Sequence, residues 1–316
     1  MAEDGGEANR TGVREHVRPG VTREQDVVAS ASGENFPVAL RMLPARYRRH
    51  LTNLYFFARL TDDLGDEARG DDQKDNQQDG QQDGPPVSVG ELRLRLLDEL
   101  AADVARIYDG GAPTSPVMRA MADTVAECGV PAQPLLDLIQ ANRQDQTVTR
   151  YATFASLEQY CELSANPVGQ IVLYIFGVAT PGRIALSDTI CTALQLAEHW
   201  QDVAEDLRNG RIYLPAQDME RYGCTEADLA EPAAGAALRD LMVFEVDRAQ
   251  ALLEAGAPLV GTLRGAARLA VAGYLAGGRA ALAAIRAQHY DVLSATARPR
   301  KQRLAAELVK AYVRGR

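Results

Sequence analysis

The sequence predicts an all-α protein that folds as one helical bundle. Stretches rich in Leu, Ala and Arg carry apolar residues at the 3.6-residue period of an amphipathic helix. No stretch shows the sustained alternation of apolar and polar residues, with turn residues at both ends, that indicates a strand. Proline and glycine separate the helical stretches, most clearly at Gly110–Gly111, Gly129–Pro131, Pro181–Gly182 and Glu231–Pro232.

Composition excludes several classes of protein. The chain has 316 residues, 46% hydrophobic and 24% charged, which is globular composition with ample length for a core. A net charge of −9 argues against a nucleic-acid partner. Four scattered cysteines indicate reduced thiols, and the polar N-terminus is unlike a secretory signal. The longest apolar run, Ile171–Ala179, is shorter than the ~20 residues of a membrane span. We expect a cytoplasmic protein, at most peripheral at the inner membrane face.

The chain divides into one domain, a disordered tail, a disordered insertion and a basic C-terminal segment. Residues 1–25 are expected to form a disordered tail, followed by a single domain over residues 26–303. Residues 70–86 are rich in Asp, Gln and Gly and are expected to form a disordered insertion. Residues 304–316 are predicted to form a basic helix or tail. Seven Lys/Arg against one Glu between Arg298 and Arg316 suit contact with anionic lipid, although an ordinary surface helix has the same composition.

An acidic pair lies on the first predicted helix, in the segment ARLTDDLGDE. Asp62 and Asp66 are four residues apart, which places both carboxylates on one helix face. Tyr55 and Arg59 precede them at helical spacing and extend the same stripe. The spacing alone fits a solvated surface face as well as a binding site.

A nearly all-apolar helix is predicted within SANPVGQIVLYIFG, from Ser164 to Gly177. Pro167 is placed to begin it, and the apolar residues after it lie on almost every side. Such a helix is either buried in the core or lines an apolar cavity.

A second acidic pair follows in HWQDVAEDLRNGRIYLP. Asp202 and Asp206 are again four residues apart, and Gln195 and Glu198 extend their face. Arg208, Arg211 and Tyr213 follow, and arginine beside carboxylates suits a diphosphate site. His199 points away from this face and is expected to be structural.

Two acidic helix faces turned toward each other would offer hard oxygen ligands, which favour Mg²⁺ over Zn²⁺. No nucleotide-binding or Ser/His/Asp signature is present, so no nicotinamide cofactor is expected. The Ala/Gly-rich block from Gly256 to Ala287 includes Gly278. Its small residues allow either close helix packing or space for a ligand.

In these motifs the chain resembles the squalene/phytoene synthase family, from about Ser32 to Arg303. ARLTDDLGDE, YCELSANPVGQIV and ICTALQLAEHWQDVAEDLRNGRIYLP occur in the family's order. The resemblance implies the isoprenoid synthase fold with a central apolar cavity. It also implies an enzyme that uses Mg²⁺, about three ions held together with a diphosphate.

The resemblance assigns roles to individual residues. Asp62, Asp66, Asp202 and Asp206 match the family's two Mg²⁺-binding motifs, and Tyr160 matches its active-site tyrosine. Glu198, in place of the family's usual Asn, offers a further metal ligand. The positions expected to contact substrate are Tyr55, Arg59, Val168, Gly169, Gln195, Arg211 and Tyr213.

Within the family, ENFPVALRMLP (Glu34–Pro44), SANPVG and HWQDV look most like the hydroxysqualene synthases of hopanoid biosynthesis. Gln201, where the family usually has Arg, agrees with that branch. Gly278 stands where related enzymes often have an aromatic residue near the substrate.

The reaction implied is ionisation of presqualene diphosphate and capture of the cation by water, which yields hydroxysqualene and diphosphate. A presqualene diphosphate synthase would supply the substrate, and a squalene-forming oxidoreductase would take the product. Two alternatives stay open: a squalene- or phytoene-type synthase that condenses two prenyl diphosphates, and a non-catalytic scaffold protein. A generic cation-binding bundle is a third, weaker alternative.

Overall fold

The computed structural model describes residues 43–66 and 88–314, without the side chains of Asp66 and Arg314. These residues form helices and connecting loops, and within those ranges no strand occurs beyond an isolated bridge between Arg150 and Ile212. The all-α fold class is therefore confirmed. The predicted tail (residues 1–25) and insertion (residues 70–86) lie outside the described residues. No helix in the described ranges is long and apolar enough to cross a membrane.

The helices are numbered here in chain order over the described residues. They are α1 Ala45–Asp66, α2 Val89–Tyr108, α3 Pro116–Cys128, α4 Ala132–Gln144, α5 Phe154–Ser164, α6 Asn166–Ile175, α7 Pro181–Gln201, α8 Val203–Arg208, α9 Ala216–Arg221, α10 Glu226–Leu229, α11 Ala236–Gly256, α12 Leu259–Thr262, α13 Gly265–Ala287 and α14 Lys301–Arg314.

Local chemistry sets the helix ends that the sequence indicates. Ser115 caps α3 through a hydrogen bond from the Met118 N–H, and Pro116 follows at the first helical position. Gly129 ends the same helix in the left-handed conformation, with φ of 67°, which glycine adopts without steric cost. The other predicted breaks also fall at or between helix ends.

Helix α7 lies at the centre of the bundle and packs against α5, α6, α11 and α13. Trp200, near its C-terminal end, is completely buried. A glycine allows the close approach of α11, because a Cβ added at Gly256 would lie 2.8 Å from the Leu186 carbonyl oxygen. Contacts with these neighbouring helices therefore fix the position of α7, and the second aspartate pair lies at its C-terminal end.

The predicted apolar helix is present as α6. Pro167 lies in its first turn, and Ile171, Val172 and Leu173 are almost completely buried. The basic C-terminal segment is helical as far as Arg314, and α14 packs mainly on α13.

A buried charge cluster joins α9 to α11. Nη1 of Arg248 donates to Oδ2 of Asp218 at 2.9 Å and to both carboxylate oxygens of Glu245 at 3.2 Å. Two carboxylates therefore share one guanidinium, and Glu245 is completely buried. Burial raises the pKa of Glu245 to about 8, against the opposing effect of Arg248.

Replacing Glu245 with glutamine should stabilise the protein at high pH. The folded-state pKa lies above the usual value of 4.5, so the folded state binds the extra proton. The wild type therefore loses stability as pH rises from 4.5 to about 8. Glutamine keeps the shape of the protonated acid. We therefore expect the free energy of unfolding of Glu245→Gln to exceed that of the wild type by about 1–3 kcal/mol at pH 8.

Urea unfolding of both proteins at pH 5 and pH 8.5 measures this difference. The stability of Glu245→Gln relative to wild type should increase between the two pH values. An equal or smaller advantage at pH 8.5 would contradict the raised pKa. Glu254→Gln, on the exposed side of the same helix, is the matched control.

Candidate functional site

The first acidic motif lies at the C-terminal end of α1. The carboxylate of Asp62 is exposed, and its Oδ1 accepts a hydrogen bond from Nδ2 of Asn142 on α4 at 3.2 Å. Asp66 is the last residue of α1, and its side chain lies outside the described residues. The structure therefore places one carboxylate of the first pair and links it to α4.

Arg59 and Tyr55, which precede this pair on α1, contact other side chains of the same helix. Nε of Arg59 lies 2.9 Å from Oδ1 of Asp63, one turn further along α1. Arg59 is partly exposed, and Tyr55 is half-buried with its ring beside that of Phe56. Arg59 thus pairs with the residue next to Asp62 in this structure.

The second pair lies where α7 gives way to α8. The sequence predicts a continuous helix through both residues, but Asp202 has φ of −108° and ψ of 16° and separates the two helices. The N–H of Asp206 still donates to the carbonyl of Asp202 at 2.8 Å. The break therefore keeps the backbone link between the two aspartates.

Burial makes both carboxylates of the second pair costly to ionise. It raises the pKa of Asp206 to about 7, and the nearby charge of Asp202 adds to this effect. Arg211 opposes the shift, and its backbone N–H donates to the carbonyl of Asp206 at 2.8 Å. Burial also raises the pKa of Asp202, with a further contribution from Glu205. A bound cation would offset these costs.

The segment before α14 supplies a charge that sequence reasoning missed. The Arg298 charge lowers the pKa of Asp202 against the effect of burial. Nε2 of Gln201, beside Asp202, donates to the carbonyl of Ala297, the residue before that arginine. Gln201 therefore connects the end of α7 to the chain that carries Arg298.

An aromatic cluster lies beside the second pair. The rings of Tyr151, Tyr160 and Tyr213 have centroids 5.5–5.8 Å apart. The ring of His199 stacks on Tyr213 with centroids 3.7 Å apart. All four residues are buried. They form a continuous π surface that can stabilise positive charge.

Two further contacts define the chemistry of this cluster. The hydroxyl of Tyr160 donates to Oδ2 of Asp145 at 2.9 Å. Burial and Asp145 raise the pKa of Tyr160 well above its usual value, so the phenol stays protonated. Burial and the charge of Arg211 lower the pKa of His199 to about 3, which keeps the imidazole neutral. The cluster thus carries no positive charge that would repel a cation.

The remaining predicted residues lie around α6 and α7. Val168 and Gly169 are half-buried on α6, and a Cβ added at Gly169 would collide with Cys191 and Ser187 of α7. Nε2 of Gln195 lies 3.3 Å from Nε2 of His199. Glu198 is exposed, and its carbonyl accepts the Asp202 N–H. Gln195 therefore contacts the aromatic cluster, whereas Gly169 allows two helices to approach closely.

A small cavity lies beside the second aspartate pair. A cavity of about 10 Å³, enough for roughly one water, lies between His199, Asp206 and Tyr213. The central apolar cavity implied by the resemblance stays a prediction. Gly278 does not open it, because an added Cβ would lie 2.7 Å from Leu194 Cδ2 and 3.0 Å from Leu253 Cδ2.

The donor set suits Mg²⁺ by its chemistry. Asp62, Asp202 and Asp206 provide carboxylate oxygens, and the raised pKa values of the last two show that positive charge there would be stabilising. Within the ranges whose side chains are described, no three His, Cys, Asp or Glu residues converge on one metal position. The Mg²⁺ assignment stays a prediction.

Sequence reasoning missed Asn142, Asp145, Tyr151 and Arg298. The first three come from α4 and the loop after it, and Arg298 lies almost a hundred residues beyond Asp202. No repeated spacing connects them to the acidic motifs. The sequence does place an aromatic residue, Tyr151, shortly after Asp145. The apolar periodicity of a single sequence gives no reason to assign this pair to a site.

Comparison with known proteins identifies the family. The family profile described as Squalene/phytoene synthase matches residues 29–305. A hydroxysqualene synthase from Rhodopseudomonas palustris is 32% identical over 232 residues, which are 73% of this chain and 72% of that protein. A phytoene synthase from Arthrospira platensis is 30% identical over 240 residues, 71% of this chain and 70% of that protein.

A solved structure agrees with the sequence comparisons. The crystal structure of squalene synthase HpnC from Alicyclobacillus acidocaldarius is 38% identical and superimposes with a TM-score of 0.72. The match covers 84% of this chain and 92% of that one. The aspartate motifs, the helical fold and these likenesses agree: the chain belongs to the squalene/phytoene synthase family.

Proposed function

We propose that this protein converts presqualene diphosphate and water into hydroxysqualene and diphosphate. The observation that carries the proposal is the buried, uncharged aromatic cluster of Tyr151, Tyr160, Tyr213 and His199 beside Asp206. A reaction through a carbocation needs a π surface next to the place where an anionic leaving group is held. The relatives named hydroxysqualene synthase support this choice of reaction.

The acidic side of the site would hold the diphosphate. Asp62, Asp66, Asp202 and Asp206 would bind Mg²⁺, which when present neutralises the diphosphate charge that grows as the C–O bond breaks. The charge of Arg211 lowers the pKa of Asp206, and the charge of Arg298 lowers that of Asp202. In this proposal both guanidinium groups bind diphosphate oxygens and orient the leaving group.

The aromatic side of the site would stabilise the carbocation. Heterolysis leaves the electron pair on diphosphate and a cyclopropylcarbinyl cation on the hydrocarbon. The faces of Tyr160 and Tyr213 stabilise that charge while the skeleton rearranges. The hydrogen bond from the Tyr160 hydroxyl to Asp145 orients the phenol, and its raised pKa keeps it protonated, which makes its oxygen less nucleophilic toward the cation than a phenolate would be. Water then adds to the rearranged cation, and the proton lost from that water passes to the released diphosphate or to solvent.

A second candidate is head-to-head condensation of two prenyl diphosphates. Relatives named phytoene synthase and a presqualene diphosphate synthase from Rhodopseudomonas palustris, 29% identical, favour it. The aspartate motifs suit both reactions. Gln201 is the residue that favours the first, since it replaces the arginine usual in the family's second motif.

Product analysis separates the two candidates. The purified protein with Mg²⁺ should convert presqualene diphosphate to hydroxysqualene and release one diphosphate per turnover. With farnesyl or geranylgeranyl diphosphate alone it should give neither presqualene diphosphate nor phytoene. Condensation products from the simpler substrates would establish the second candidate. No conversion of any of these substrates, by protein that is folded by circular dichroism, would favour a scaffold role.

We further propose that the substrate is received from a presqualene diphosphate synthase and that the product passes to an oxidoreductase that forms squalene. Both molecules have long hydrocarbon chains, so their transfer avoids bulk water most easily at a shared apolar surface.

A further inference from the structure

The last helix, α14, presents an apolar stripe to solvent. Val309, Tyr312 and Val313 have exposed fractions of 63%, 43% and 59%, and their spacing puts them on one helix face with Ala305 and Ala306. The opposite face carries Ala311, which is 2% exposed, and packs against α13. The Val309–Val313 stripe is thus the outer face of a docked helix.

Positive charges border this stripe on both sides. At 100° per residue, Arg303 and Lys310 lie about 100–120° from Val309 in one direction, and Lys301 lies about 80° away in the other. All three cations are exposed. Lys310 shares its charge with Glu307 at 2.8 Å. The helix is therefore basic at its borders and apolar in the middle, within a chain whose net charge is −9.

A groove continues the apolar surface toward α13. Its volume is about 330 Å³, and it is lined by Leu43, Pro44, Gly265, Ala266, Leu269 and Tyr312. Tyr312 belongs to both the groove and the stripe, and the guanidinium of Arg268 lies 4.8 Å above its ring. The positively charged side chain of Arg268 thus also lies where the stripe meets the groove.

We propose that α14 binds the surface of a bilayer that contains anionic lipid, with the Val309–Val313 stripe at the boundary between headgroups and acyl chains. A helix with an apolar centre and cationic borders matches that boundary, because the borders meet phosphates as the centre enters hydrocarbon. Pairing of two copies through this face would set like charges against each other. This binding goes beyond the proposed reaction and requires no turnover.

Vesicle sedimentation of the full chain tests the proposal. Vesicles of phosphatidylcholine with about 30% phosphatidylglycerol should bind the wild type at low salt, and binding should weaken in 0.5 M NaCl. Val309→Glu with Val313→Glu should reduce the partition coefficient at least about tenfold. Leu92→Glu with Val243→Glu adds the same charge at two other exposed apolar positions and should reduce it far less.

Each remaining result decides against the proposal. Wild-type protein that stays in the supernatant with anionic vesicles overturns it, as does equal loss of binding in the two double variants. A wild-type dimer that Val309→Glu/Val313→Glu converts to monomer, measured by light scattering, would assign the stripe to a second copy. Circular dichroism of both variants confirms that the helices are retained.

Discussion

Replacing Asp202 with asparagine should lower kcat for presqualene diphosphate by about 10²–10³-fold. Asparagine keeps the size of the side chain but removes the negative charge that would bind Mg²⁺. The charge of Arg298 would then face a neutral amide, so the local field changes further. Release of diphosphate, measured over a range of Mg²⁺ concentrations, should also show a weaker response to the metal.

Glu205→Gln is the matched control for this prediction. Glu205 is exposed and lies in the same short helix as Asp206, so its replacement removes one negative charge close to the site. We expect its turnover to stay within a few-fold of wild type. Asp202→Asn protein with wild-type turnover and an unchanged thermal transition would rule out a role for Asp202 in the reaction.

Replacing Trp200 with alanine should destabilise the protein by about 3–5 kcal/mol, because it removes the largest completely buried side chain. The loss combines hydrophobic transfer with the cost of the cavity left between α7 and its neighbours. Urea unfolding gives the free energy directly. Trp200→Phe should lose less stability than Trp200→Ala, because phenylalanine fills most of the space. It also breaks no hydrogen bond, since Nε1 of Trp200 has no hydrogen-bond partner in the described part of the chain.

Leu92→Ala, at a position that is 50% exposed on α2, should change the free energy by under about 0.5 kcal/mol. A Trp200→Ala loss below about 1 kcal/mol would show that the centre of the bundle repacks around the missing ring.

Most of the fold could be predicted because helices and their ends are encoded locally. Helical spacing predicts the helices that carry the acidic pairs, which are α1 and the end of α7, and Pro167 marks the start of α6. The two four-residue helices, α10 and α12, were not predicted, since one turn carries no periodicity. The break at Asp202 was not predicted either, because no glycine or proline accompanies it.

The site could be predicted only where its residues share one element. Four-residue spacing reveals Asp202 and Asp206, whereas the contact of Tyr160 with Asp145 joins two separate segments. In the Ala/Gly-rich block, the role of Gly278 likewise depends on residues from other helices. Sequence alone allowed either ligand space or helix packing there, and the neighbouring Leu194 and Leu253 show that it is packing.

The position of Trp200 gives the protein an internal spectroscopic probe. It is the chain's single tryptophan, it is completely buried, and it lies two residues before Asp202. Selective excitation of the indole therefore reports on one place, the end of α7 beside the second aspartate pair. Emission from the native protein should lie at short wavelength, and its change on titration with Mg²⁺ and inorganic diphosphate follows occupancy of the site without any introduced label.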